Sequence, residues 1–228
     1  MKNLFIDNIN WEITDWNLDN SHTHIFKINI AEKFKDIYSK YEDVLSDNEI
    51  LKSEKYLQVR DRKRFITSKY FLRLILSKIL YTTPSELQFS QHYNNKPKLS
   101  GIEFNVSHSG DKILIAISPK PIGIDVESLT KPFDFESIIE TCFHPDEKKY
   151  LIKADRQNFY TFWTRKEAVL KATGEGLVDN LESINTFQNR IERNTEYFEL
   201  KSFLIDNDYV ASLAFKSSVH NAIKFWII

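Results

Sequence analysis

Apolar and polar positions alternate most regularly between residues 104 and 127. Phe104, Val106 and His108 fall on one face of a strand and Asn105 and Ser107 on the other. Ser109-Gly110-Asp111 makes a tight turn into a second strand, Lys112–Ser118. After Pro119-Lys120-Pro121 the alternation resumes: Ile124 and Val126 point one way, Asp125 and Glu127 the other, with Gly123 opening space beside them. The strand–turn–strand plan returns at 198–205, 206–208 and 209–215, and His22–Ile30 reads as an earlier strand. Helical spacing is found over Ala31–Leu45 and after a cap at Ser46 or Asp47 with Glu49 in its first turn. It is found again from an expected Asp61 cap to Tyr81, with Phe65, Leu72, Ile75, Leu76 and Ile79 as the buried stripe. Short helices are expected between Phe133 and Tyr150, with Pro145 at a helix start, and a strong helix over Gln157–Thr173 that Gly174-Glu175-Gly176 ends. The fold class is therefore α+β. The proline-rich break divides it into an N-terminal half, 1–121, and a C-terminal half, 122–228, with a similar order of elements.

Composition narrows what such a chain does. Its 228 residues are 42% hydrophobic and carry a net charge of −1, enough for a real core and too neutral to advertise a nucleic-acid or membrane partner. A single cysteine, Cys142, excludes an internal disulfide and suits a reducing cytosol. Met1–Trp16 lacks a basic segment followed by an apolar run, and no stretch is long and apolar enough for a membrane span, so a cytoplasmic protein is expected. Charge is nevertheless uneven: Lys52–Arg73 holds eight basic residues against two acidic ones. That excess suits phosphate groups or an acidic protein, although a basic helix is also an ordinary solvated face. All five glycines lie between 101 and 176, which concentrates unusual backbone geometry in the same window as the regular strands.

Candidate chemistry gathers there too. Asp125 and Glu127 place two carboxylates on one rigid edge, the kind of oxygen set that Mg²⁺ uses together with substrate phosphates; a solvated sheet face would show the same pattern. On the helix after Asp155, Lys166 falls inside the apolar arc of Phe159, Phe162, Trp163, Val169 and Leu170, while Glu167 and Lys171 form an i,i+4 pair along its border. A lysine in a core stripe needs a partner or must snorkel outward. His22 and His24, without expected carboxylate or cysteine company, read as surface, and His108 before the glycine turn suits a structural or a functional role.

Taken in order, Phe-Asn-Val-Ser-His-Ser-Gly at 104–110, Gly-Ile-Asp-Val-Glu at 123–127 and Trp-Thr-Arg-Lys-Glu-Ala-Val-Leu-Lys-Ala-Thr-Gly-Glu-Gly-Leu at 163–177 resemble the 4′-phosphopantetheinyl transferases of the larger, surfactin-synthetase-activating type. The resemblance implies a cytoplasmic monomer of two pseudo-symmetric α/β halves, with coenzyme A and Mg²⁺, or Mn²⁺ in its place, in the cleft between them. It implies an apo acyl- or peptidyl-carrier protein as partner, whose serine receives the phosphopantetheine group of coenzyme A. By the same resemblance Asp125, Glu127 and Glu167 are the metal carboxylates, and Ser107 and His108 contact a coenzyme phosphate. Lys171 lies near the pyrophosphate with Lys166 as its motif neighbour, both counted with Glu167 and His108 as catalytic candidates, and Lys69 falls where a basic residue binds the 3′-phosphate. Lys96-Pro97 matches a Gly-Lys-Pro motif in which Asn95 here replaces the glycine, and Glu147 is a further acidic candidate. The competing expectation is a non-catalytic module that binds coenzyme A, nucleic acid or an acidic protein through Lys52–Arg73.

Overall fold

The computed structural model describes the chain except residues 1–3, 7–8, 14–17, 92–95, 131–133, 152–154, 177 and 217–221. Asn94 and Asn95, with the glycine replacement noted above, lie outside the described residues.

Two sheets form the centre. The first has the order β1 (Trp11–Glu12), β11 (Ile223–Ile227), β2 (Thr23–Asn29), β6 (Lys112–Ser118) and β5 (Glu103–Ser109). β6 runs antiparallel to both β2 and β5, whereas β11 pairs in parallel with both β1 and β2. The second, antiparallel throughout, has the order β7 (Ile122–Ser128), β10 (Tyr209–Lys216), β9 (Glu196–Ile205) and β8 (Arg190–Arg193). A two-stranded ribbon, β3 (Ser90–Gln91) with β4 (Pro97–Lys98), flanks the first sheet's helix. The chain changes sheet at Pro119–Pro121, where a proline pair ends one ladder. Its last strand, β11, then returns to the first sheet.

The helices are α1 (Ile30–Ile37), α2 (Asp47–Glu54), α3 (Val59–Leu80), α4 (Glu136–Cys142), α5 (Pro145–Leu151) and α6 (Arg156–Thr173). Period-2 alternation sorts the first sheet's side chains into two cores. Ile113, Ile115 and Ile117 pack with Ile66, Phe71 and Ile75 of α3, while Leu114 and Ala116 pack with Ile122, Ile124 and Leu213 of the second sheet. The outer face of the second sheet is covered by α6 through Ala168, Val169 and Leu170 against Phe198, Leu200 and Ala214. The layer order is therefore helix, sheet, sheet, helix, and the α+β class stands.

Three local expectations change. The helix over Ala31–Leu45 stops at Ile37, and Tyr41, Val44 and Leu45 reach the core through turns instead. The long helix begins at Val59 with Gln58 in the cap position; Asp61 sits in its first turn, ion-paired to Arg64 at 2.8 Å, where a carboxylate complements the helix dipole. His24 is not surface: it is 0% exposed, receives a hydrogen bond from Trp226 Nε1 at 3.0 Å on its Nδ1, and places its Nε2 3.0 Å from the carbonyl of Asp19. The carboxylate of Asp19 in turn holds His22 at 2.7 Å. That company is invisible in sequence because Trp226 arrives with β11, 202 residues later.

Candidate active site

The site starts from Gly123. A Cβ there would lie 2.0 Å from the carbonyl oxygen of Ala168 and 2.5 Å from the amide nitrogen of Ala172, so only glycine lets α6 pack directly on β7. That close approach carries Glu167 and Lys171 to the polar face of β7, where alternation has put Asp125 and Glu127. Asp155 caps the start of α6 by accepting from the Asn158 amide, and Gly174 ends it with φ of 74°, a left-handed conformation that suits glycine.

Asp125 is buried. Its Oδ1 receives hydrogen bonds from Lys171 Nζ at 2.6 Å and Ser107 Oγ at 2.8 Å, whereas its Oδ2 is buried with no hydrogen-bond partner. Lys171 Nζ also donates to Ser107 Oγ at 3.2 Å and to the carbonyl of Ile124 at 3.3 Å. Glu127 accepts from Ser109 Oγ at 2.8 Å. Glu167 is half-buried, and its carboxyl is pushed above the usual glutamate range, first by desolvation and then by the charges of Asp125 and Glu127, against the opposing pull of Lys171. Three carboxylates thus act on one another electrostatically. Among the described residues, no three or more His, Cys, Asp or Glu side chains are grouped closely enough to hold a metal ion as they stand.

The two sheets join beside this group. β7 uses one edge to pair with β10, which leaves the amides of Ile124, Val126 and Ser128 facing β5. They donate to Asn105 Oδ1 at 2.9 Å, Ser107 Oγ at 3.3 Å and Ser109 Oγ at 3.1 Å. Side chains at two-residue spacing on β5 therefore take the place of a neighbouring strand's carbonyls.

A cavity of ≈ 360 Å³ opens next to this joint, with Lys96, Phe104 and Val106 on the N-terminal side and Glu167, Leu170 and Lys171 on the C-terminal side. Lys96 Nζ donates to the carbonyl of Lys171 at 2.8 Å, and burial holds its pKa below the usual lysine range. His108 is exposed; desolvation by its surroundings, then the charge of Arg64, holds its imidazole below the usual histidine range. Arg64 was visible in sequence only as one of eight basic residues, and its position facing His108 singles it out.

Lys69 belongs to a second cavity of ≈ 360 Å³, which meets the first at Pro97. There Glu49 lies 3.4 Å from Lys69 and 2.6 Å from Arg73. Burial raises the Glu49 pKa, and the two cations outweigh it, so the net shift is downward.

Lys166 and Glu147 stand apart from this group. Lys166 is 1% exposed and does not snorkel; its ammonium lies 2.8 Å from Glu147 and donates to the carbonyls of Leu181 and Ile184. Glu147, 0% exposed, also accepts from Thr186 N at 2.7 Å, Thr186 Oγ1 at 2.6 Å and His144 N at 2.9 Å. The pair ties α6 to α5 and to the 181–186 segment, and it holds no polar atom toward the carboxylate group.

Residues 33–120 match the family described as the 4′-phosphopantetheinyl transferase N-terminal region, and residues 121–214 match the 4′-phosphopantetheinyl transferase superfamily. The chain belongs to the 4′-phosphopantetheinyl transferase superfamily. It is 36% identical over 151 residues to the 4′-phosphopantetheinyl transferase HetI of Nostoc sp., across 61% of this chain and 63% of the relative. It is 31% identical over 141 residues to the 4′-phosphopantetheinyl transferase Sfp of Bacillus subtilis, across 59% of this chain and 62% of the relative. The matches therefore span a little under two thirds of those relatives' own lengths. No helix among the described residues is long and apolar enough to cross a membrane.

Proposed function

We propose that the protein transfers the 4′-phosphopantetheine group of coenzyme A to a serine of an apo acyl- or peptidyl-carrier protein, dependent on Mg²⁺ with Mn²⁺ as a substitute, as a cytoplasmic monomer. The observation that carries this reading is Asp125: one oxygen is fixed by Lys171 and Ser107 while the other is buried and unpartnered. A buried carboxylate oxygen without a donor is costly in an otherwise satisfied site, and a divalent cation is the natural partner for it. The donor set fits Mg²⁺, which takes one or two carboxylates plus substrate phosphates and water and needs no closed cage. Asp125, Glu127 and Glu167 would hold the ion. When bound, it supplies positive charge against the pyrophosphate of coenzyme A.

The remaining roles fall to the chain's own groups. The coenzyme occupies the cavity between the halves 1–121 and 122–228. Lys171 and Lys96 offset pyrophosphate charge, Ser107 and His108 contact a phosphate with Arg64 as a further cation beside His108, and Lys69 faces the 3′-phosphate. The carrier serine oxygen attacks the phosphorus that bears the pantetheine arm, and the bond to the adenosine bisphosphate oxygen breaks, releasing adenosine 3′,5′-bisphosphate. Glu167, whose carboxyl is pushed above the usual glutamate range by desolvation and the charge of Asp125, accepts the serine proton. Catalysis rests on positioning and charge neutralisation. Lys166 and Glu147 serve as positioning residues that anchor α6 and do not touch substrate.

The test mixes the protein with coenzyme A, Mg²⁺ and a panel of apo carrier proteins and reads intact carrier mass. A gain of one phosphopantetheinyl group is expected. Absence of that gain on every carrier, alongside a working control transferase, overturns the reading.

A further inference from the structure

Ser109 has a position that the activity above leaves unassigned. It is the last residue of β5 and is buried. Its hydroxyl does two things at once, donating to Glu127 Oε2 at 2.8 Å and accepting from the Ser128 amide at 3.1 Å. The neighbouring rung is built alike. Ser107 donates to Asp125 Oδ1 at 2.8 Å and accepts from the Val126 amide at 3.3 Å, two residues earlier on both strands. The first rung, Asn105 to the Ile124 amide at 2.9 Å, has no carboxylate to hold, because the residue before that amide is Gly123.

We propose that Ser109 is a positioning residue for Glu127, the counterpart of Ser107 for Asp125, so that the seam between the two sheets sets the spacing of the two carboxylates. The inference rests on the reading of Asp125 and Glu127 as metal carboxylates. A hydroxyl that bonds to the backbone one residue beyond the carboxylate and to the carboxylate itself fixes that side chain relative to its own strand. Without it, the glutamate's three side-chain torsions are less constrained, which adds to the entropic cost of binding an ion. The same hydroxyl links β5, which belongs to the coenzyme side, to β7, which belongs to the carboxylate side. Movement of one sheet past the other would therefore be felt at Glu127 as well as at Asp125.

The experiment compares wild type with Ser109→Ala and Ser109→Cys as full-length protein. Mn²⁺ binding is followed by electron paramagnetic resonance of the free ion, and amide hydrogen exchange is followed by NMR in metal-free protein. Ser109→Ala is expected to weaken Mn²⁺ binding about tenfold, the size of one lost charge-assisted hydrogen bond, and to speed exchange at the Ser128 amide while leaving Ile124 slow. Coenzyme A affinity measured without metal should stay within about twofold of wild type, which separates positioning from a general loss of structure. Should Ser109→Ala fail to fold, Ser109→Cys keeps the shape with a weaker donor and should show the same two effects at smaller size. Wild-type Mn²⁺ affinity in a folded variant of either kind overturns the positioning role alone. A wild-type protein that binds no Mn²⁺ and loads no carrier overturns the functional reading and this inference with it.

Discussion

Lys171 Nζ lies 2.6 Å from Asp125 Oδ1, across the contact between α6 and β7. The contact exists because Gly123, two residues before Asp125, has no side chain to hold the helix away. One backbone feature therefore governs how a lysine and three carboxylates meet.

Gly123→Ala should displace α6. The added methyl would meet backbone atoms of Ala168 and Ala172, which cannot rotate aside. Overpacking of this kind costs about 1–3 kcal/mol, so the denaturant midpoint should fall without a change in slope, and transfer activity should fall more than stability alone explains.

Glu167→Gln separates function from stability. Because the folded protein raises the pKa of this carboxyl above its ordinary value of 4.5, the ionised form disfavours folding. The wild type therefore recovers this stability in acid, below 4.5, and loses it as pH rises through the folded-state value. The variant should be more stable than wild type at pH about 7, with the difference vanishing in acid, and its transfer rate should drop about 10²-fold or more. Equilibrium unfolding across pH and a loading assay read both.

Lys166→Met should be severely destabilising. It leaves Glu147 as a buried, uncompensated charge, a change that costs about 3–5 kcal/mol. Changing both partners, Lys166→Met with Glu147→Leu, should recover part of that loss, and the double-mutant cycle measures the coupling.

His24 predicts an acid-sensitive C-terminal strand. Burial holds its imidazole below the ordinary value of 6.5, with Asp19 opposing that shift and Lys224 and His22 adding to it. A depressed histidine stabilises the fold above its ordinary value and loses that contribution as pH falls toward its folded-state value. Stability should therefore decline below pH 6.5, with Trp226 fluorescence reporting its separation from His24, and His24→Gln should flatten the dependence.

The strands, the long helices and the order of the three motifs were legible because alternation and helical spacing are local properties of the chain. Asp125, Glu127, Glu167 and Lys171 were legible for the same reason, since each sits on a regular element whose faces can be counted. What sequence could not show was pairing at long range. Lys166 looked like a misplaced or snorkelling lysine until Glu147, on another helix, was placed beside it. His24 looked like surface until β11 brought Trp226. Ser109 looked like a turn residue, and only the approach of β7 to β5 showed a hydroxyl held between an amide and a carboxylate. The early end of α1 had no local stop signal, because turns brought Tyr41 and Leu45 to the same core that a longer helix would have reached.

The most direct test of the central claim, that Asp125 and its neighbours form a metal-dependent transfer centre, is the initial rate of carrier loading against Mg²⁺ concentration for wild type and a folded Asp125→Asn variant. The wild-type rate should rise from near zero in chelator to saturation, and the Asp125→Asn rate should stay near zero throughout. Wild-type loading that is undiminished in chelator, or Asp125→Asn loading at the wild-type rate, would contradict that claim.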